Sequence, residues 1–276
     1  MDFDPLSDNA PPRYAIESDE EEDEYNPLNL STLSSPSLSV KILGSLPKEK
    51  ELIIATGDGG KFWAKGAHLG EQKGTVQVNK VDVGLVFIPA WGDTTVIVSE
   101  SLTRLPVWLQ HSYAFHIVEQ LKPTKLALLD TYSAPIYASP KPIPIHDAPI
   151  RYLATAHEVH TLIKANAKPF VPPNLIQSTS AAYISIASTS HPTNCTLILL
   201  PSAHIPRPPP TTILLPDISR LPEDLDLWST DLMNLSQQLL LAAIGQKGQS
   251  RWASTDPQMP KSEKRLHRAS DNSLYI

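Results

Sequence analysis

The chain has 276 residues, 41% of them apolar and 19% charged, with 27 prolines and a formal net charge of −6. That length allows one large domain or two small ones, the apolar share can fill a core, and the proline count predicts many proline-bounded loops. The charge is uneven: residues 1–25 hold ten acids against Arg13, a net of −9, so the rest of the chain stands at +3 and offers no basic patch for nucleic acid.

One cysteine, Cys195, excludes an intrachain disulfide framework and fits a reducing compartment. The start, MDFDPLSD, is acidic and lacks an apolar run, so it does not read as a signal peptide. The run LLLAAI at 239–244 is far too short to span a bilayer. The expectation is a soluble, cytoplasmic or nuclear chain without a membrane or nucleic-acid partner.

In chain order, residues 1–37 read as a disordered acidic arm, because SDEEEDE repels itself and has nothing to bury. Within it Ser18 precedes a run of acids, with Glu21 three residues on, which resembles an acid-directed kinase site; a purely solubilising arm is the simpler reading. The body starts near Leu38. ELIIA at 51–55, bounded by TGDGG, predicts a buried strand entering a tight turn. VDVGLVFIPA at 81–90 and TTVIVS at 94–99, separated by WGD, predict a hairpin. Pro106 and Pro123 bracket a predicted helix with Ala114, Val118 and Leu121 on one face. KLALLDT at 125–131 reads as another buried strand, and helix followed by apolar strand is the mark of an α/β crossover.

Residues 132–150, with five prolines, predict a long loop, and RYLAT a strand. The stretch 172–188 reads as helical from about Leu175, and CTLILL at 195–200 as a buried strand. IPRPPP at 205–210 cannot join a central strand. The last helix is expected over PEDLDLWSTDLMNLSQQLLLAAIG, with Pro222, Glu223 and Asp224 in its first turn and Leu225, Trp228, Leu232, Leu235 and Leu239 at steps of three and four. The predicted organisation is a disordered arm 1–37, one α/β domain 38–245 with a mixed sheet flanked by helices, and a flexible tail 246–276.

No stretch of the body spells out a catalytic, cofactor or metal site. TGDGG follows a strand and could cradle a phosphate on backbone N–H groups, but it is neither GxGxxG nor GxxxxGK[ST], and its glycines more simply permit a turn. AHEVH at 156–160 fails HExxH at position 161, so His157 and His160 lack the further ligands that zinc needs. Cys195 opens an apolar strand and reads as core. Paired carboxylates are expected only in the acidic arm and at the start of the last helix.

The ending is the strongest signal. A polar segment finishes on Leu274, Tyr275 and Ile276. Two apolar side chains can enter a pocket while a terminal carboxylate meets lysine or backbone N–H groups. An apolar–Tyr–any ending resembles the motif with which proteasomal activators and assembly chaperones dock between α-subunits of the 20S core particle. The order of elements, from LIIATGDGG through SAAYISIA and CTLILL to the last helix and tail, resembles the proteasome-assembly chaperone 1 family in what looks like its fungal form. The resemblance implies a non-catalytic chaperone without cofactors, paired as a heterodimer with proteasome-assembly chaperone 2. The pair would sit on the outer face of the α-ring, its partners the α-subunits, with Leu274, Tyr275 and Ile276 in an inter-subunit pocket. Two other readings stay open: a C-terminal ligand of a PDZ-type scaffold through Leu274-x-Ile276, and a nucleotide or phosphate binder using TGDGG.

Overall fold

The computed structural model describes residues 38–141, 143–156, 158–190, 193–216, 228–246 and 251–253. The chain divides after Leu38; apart from that residue the first unit lies outside the described residues, as does most of the expected tail. Among its described residues the second unit carries nine strands and five α-helices. In order they are β1 (Val40–Leu43), β2 (Glu51–Thr56), α1 (Gly57–Gly66), β3 (Gln72–Val78), β4 (Val81–Phe87), β5 (Thr94–Ser99), α2 (Val107–Leu121), β6 (Lys125–Ser133), β7 (Arg151–Ala154), α3 (Thr161–Asn166), β8 (Lys168–Pro169), α4 (Thr179–Thr189), β9 (Asn194–Ser202) and α5 (Thr230–Ile244).

The strands form one mixed sheet in the order β1-β3-β4-β5-β2-β6-β9-β7-β8. Its centre, β5-β2-β6-β9, is parallel, and the flanking pairs β1/β3, β3/β4, β4/β5 and β7/β9 are antiparallel. The predicted mixed α/β sheet flanked by helices is therefore the observed fold. The central strands read as continuous apolar runs because both faces of the sheet are covered. One face presents Ile53, Ala55, Val96, Val98, Ala127, Leu129, Ile198 and Leu200 to Trp63 of α1 and to Met233, Leu240 and Ile244 of α5. The side-chain alternation of strands turns Ile54, Ile97, Leu128 and Leu197 to the other face. There α4 packs on β6, β9 and α2, and Leu109, Tyr113, Ile117 and Tyr183 are buried.

The helix between Pro106 and Pro123 forms as expected, with Lys122 in the left-handed conformation as its C-cap. Three boundaries differ from expectation. TGDGG is not a free turn but the start of α1: Gly57 has φ +60°, and a Cβ on Gly60 would stand 2.5 Å from the Ala55 carbonyl oxygen. Glycine there lets the helix lie directly on β2. The fourth helix starts at Thr179 rather than near Leu175, which is exposed. The last helix starts at Thr230, where the Ser229 hydroxyl accepts the Leu232 N–H. Pro222, Glu223, Asp224 and Leu225 lie outside the described residues, and Trp228 stands before the helix as an anchor, its indole N–H donating to the Pro201 carbonyl at 2.6 Å.

Beyond Gly245, where the domain was expected to end, Trp252 is buried. Its Nε1 donates to the Trp63 carbonyl at 2.8 Å, its ring stacks on Phe62, and Ala253 N–H donates to the Gly66 carbonyl. The chain is thus tied to the α1 face as far as Ala253. Among the described residues no helix is long and apolar enough to cross a membrane.

Candidate functional site

The carboxyl ends of the parallel strands bring together two acids that are thirty residues apart in the chain. Glu100 follows β5 and Asp130 lies in β6; both are buried. The start of α4 is clasped between them. Ser178 and Ser180 donate from their hydroxyls to Asp130 Oδ2 at 2.6 and 2.7 Å, and Thr131 N–H donates to Oδ1 at 2.7 Å. Thr179, between the two serines, donates to Glu100 Oε1, and Leu105 N–H donates to Oε2 at 2.9 Å. Successive hydroxyls at the N-terminus of α4 thus reach two different strand ends.

Burial pushes both carboxyls above their ordinary range, and the donated hydrogen bonds only partly offset it. Asp130 raises Glu100 further by repulsion, against a smaller opposing pull from Arg104. Tyr113, whose hydroxyl pairs with Ser99 Oγ at 3.0 Å, is likewise held up by desolvation and by Glu100. Glu100 itself has φ +54°, a left-handed backbone that a non-glycine residue adopts at a cost. The side chain is kept where glycine would be easier, because it terminates two buried donors.

The expectation that paired carboxylates occur only in the acidic arm and at the last helix is therefore corrected. The signal for the pair was an acid at the end of each apolar run together with the Ser-Thr-Ser of α4. Chemically the arrangement is a clasp: each serine hydroxyl points at a carboxyl with no histidine between them, and the donors serve to fasten α4 to the sheet.

The other candidates are spread out. The buried Gly59 and Gly60 of TGDGG are occupied in packing α1, and Asp58 puts negative charge in the first turn, where a phosphate would sit. His160 is the N-cap of α3, its Nδ1 facing Leu162 N–H, and position 157 lies outside the described residues. Among the described residues no three His, Cys, Asp or Glu side chains gather as metal ligands. Cys195 is buried in β9 as expected of a core residue, and desolvation pushes its thiol up. Leu274, Tyr275, Ile276 and Ser18 lie outside the described residues.

No family model matches the chain, and no curated protein matches it in sequence. Solved structures do resemble it. PbaA from Pyrococcus furiosus, described as an archaeal homolog of proteasome-assembly chaperone, superposes with a TM-score of 0.49 and 11% identity over 75% of this chain and 82% of its own. PbaB from the same organism, described as an archaeal proteasome activator, gives 0.44 and 9% over 60% and 80%. A Thermoplasma acidophilum protein of unknown function gives 0.45 and 10% over 72% and 85%. At these values the likeness carries no argument about what this chain does.

Proposed function

We propose that this chain is a non-catalytic chaperone of 20S proteasome core-particle assembly. In this reading it pairs with proteasome-assembly chaperone 2 on the outer face of the α-ring and acts in the cytoplasm or nucleus. The observation that carries the proposal is the ending Leu274-Tyr275-Ile276. The α/β body, described as far as Ala253, is consistent with that use. Ala253 and Leu274 are 21 positions apart, and a flexible coil of that length spans about 25 Å r.m.s., enough to reach a pocket beside the body.

Magnitudes indicate that the tail works with a second contact. Burying Leu274 contributes about 2 kcal/mol and Tyr275 about 2–3. A carboxylate on Ile276, paired with lysine, adds about 1–3 kcal/mol, and ordering the docked side chains takes about 1–2 back. A net of about −4 to −6 kcal/mol corresponds to a dissociation constant between roughly millimolar and tens of micromolar. Tethering to a second contact lowers that constant by about 10²–10⁴-fold. A two-tailed heterodimer supplies such a contact.

The test is to measure binding of the co-purified heterodimer to core particles for Tyr275→Ala and Ile276→Ala separately. The proposal expects Tyr275→Ala to weaken binding by at least about tenfold, from its lost burial, and Ile276→Ala to change it little. The reverse pattern would overturn it in favour of a PDZ-type partner, where the terminal side chain dominates.

A further inference from the structure

Residues 205–210, Ile-Pro-Arg-Pro-Pro-Pro, are all either proline or the residue before one. Both kinds of position are restricted to extended backbone, so the stretch is biased to the polyproline II helix, with about three residues per turn. The stretch and its continuation lie along the start of α2. Arg104 Nη1 and Nη2 donate to the carbonyls of Pro208 and Arg207 at 3.1 and 2.7 Å. Trp108 Nε1 donates to the Thr211 carbonyl at 3.1 Å, and Thr103 Oγ1 to the Leu214 carbonyl at 3.0 Å.

The accepting carbonyls are those of Arg207, Pro208, Thr211 and Leu214, the chain bending at Thr211 and Thr212 after the prolines. One side of the segment therefore faces the donors at the start of α2. All four bonds run from side chains of the α2 end to backbone carbonyls of the segment, so they read its conformation and not its side chains. An exposed tryptophan whose N–H binds a carbonyl of a proline-rich segment is the chemistry of aromatic grooves that take such ligands.

We infer that Thr103, Arg104 and Trp108 form a binding site for proline-rich peptides, held in this chain by its own residues 207–214, and that a proline-rich segment of another protein docks there by displacing them. Displacement is feasible because the segment is held from outside the core. Ile205, Leu214 and Leu215 are exposed, Leu215 to 82%, and Trp108 is itself 55% exposed beside Val107. With the segment displaced, Val107 and Trp108 remain on α2 as exposed apolar surface that an incoming ligand can cover. Because the resident segment is tethered, it competes at an effective concentration in the millimolar range; a weak ligand is excluded and a tethered or multivalent one is admitted.

The test uses the full chain and a fluorescent peptide, Ala-His-Ile-Pro-Arg-Pro-Pro-Pro-Thr-Thr-Ile-Leu-Leu-Pro. In one variant residues 205–212 are replaced by a Gly/Ser segment of equal length; in a second, Pro208, Pro209 and Pro210 become alanine, which loosens the segment without removing it. The first should bind the peptide at least about tenfold more tightly than the native chain, the factor set by removing the tethered competitor, and the second more tightly than the native chain by a smaller factor. Trp108→Phe in either background, or alanine for the peptide's prolines, should abolish the gain. Equal binding by native and variant chains, no binding by a variant that unfolds at the native urea midpoint, or binding indifferent to Trp108→Phe would each overturn the inference.

Discussion

Replacing Glu100 tests what the buried clasp contributes. Glu100→Ala leaves Leu105 N–H and Thr179 O–H without acceptors in sites where both residues are fully buried. Each buried donor left unpaired costs about 1–3 kcal/mol. Losing a desolvated carboxyl returns part of this, so a net loss of about 2–4 kcal/mol is expected. Glu100→Gln keeps an oxygen for Leu105 N–H, and its amide can donate to the Thr179 hydroxyl; it should cost less than about 1 kcal/mol. Glu100→Gly loses the same acceptors but relieves the φ of +54°, and should be about 1 kcal/mol less damaging than alanine. Urea unfolding of the four chains at one pH is the assay. Alanine within about 0.5 kcal/mol of native, or glutamine as damaging as alanine, would refute the reasoning.

The same carboxyls make stability depend on pH. Their folded pKa values lie above the unfolded ones, so the folded state holds their protons more tightly. Their contribution is complete below the ordinary carboxylate pKa of about 4 and is lost as pH rises through the raised folded values. Over that interval Glu100→Gln and Asp130→Asn should flatten the decline of the urea midpoint relative to the native chain; parallel curves would contradict the assignment. Trp252→Ala should cost about 3–5 kcal/mol, as for a core aromatic, in thermal or urea unfolding; a neutral result would remove residues 251–253 from the body. Gly60→Ala should cost about 1–3 kcal/mol, because its Cβ would meet the Ala55 carbonyl. An unchanged midpoint would mean that α1 moves freely on β2.

How much the sequence revealed follows from how each element is stabilised. β2, β6 and β9 are buried on both faces, so each is a plain apolar run, and α2 is bracketed by prolines; these were legible. The first helix was not, because Gly57-Asp58-Gly59-Gly60 has the composition of a turn, and only the close approach to Thr131 and Ala55 explains Gly59 and Gly60 inside a helix. The last helix was read too early because Trp228 continues its apolar spacing. That residue is instead spent on Pro201 and Phe62, and Ser229 marks the true start. Trp252 stands in a polar stretch with no periodic neighbours, so its burial against Trp63 and Phe62 is purely tertiary. The Glu100–Asp130 pairing likewise depends on β5 and β6 flanking β2, an order the sequence does not state.

The central claim is that the tail contacts the α-ring while the body contacts a partner chaperone. Its most direct test compares the full chain with one ending at Ser273, each co-expressed with proteasome-assembly chaperone 2 and used to recover α-subunits from native lysate. The account predicts that truncation loses the α-subunits and retains the partner. Undiminished recovery of α-subunits by the truncated chain, or their absence from both samples, would contradict it.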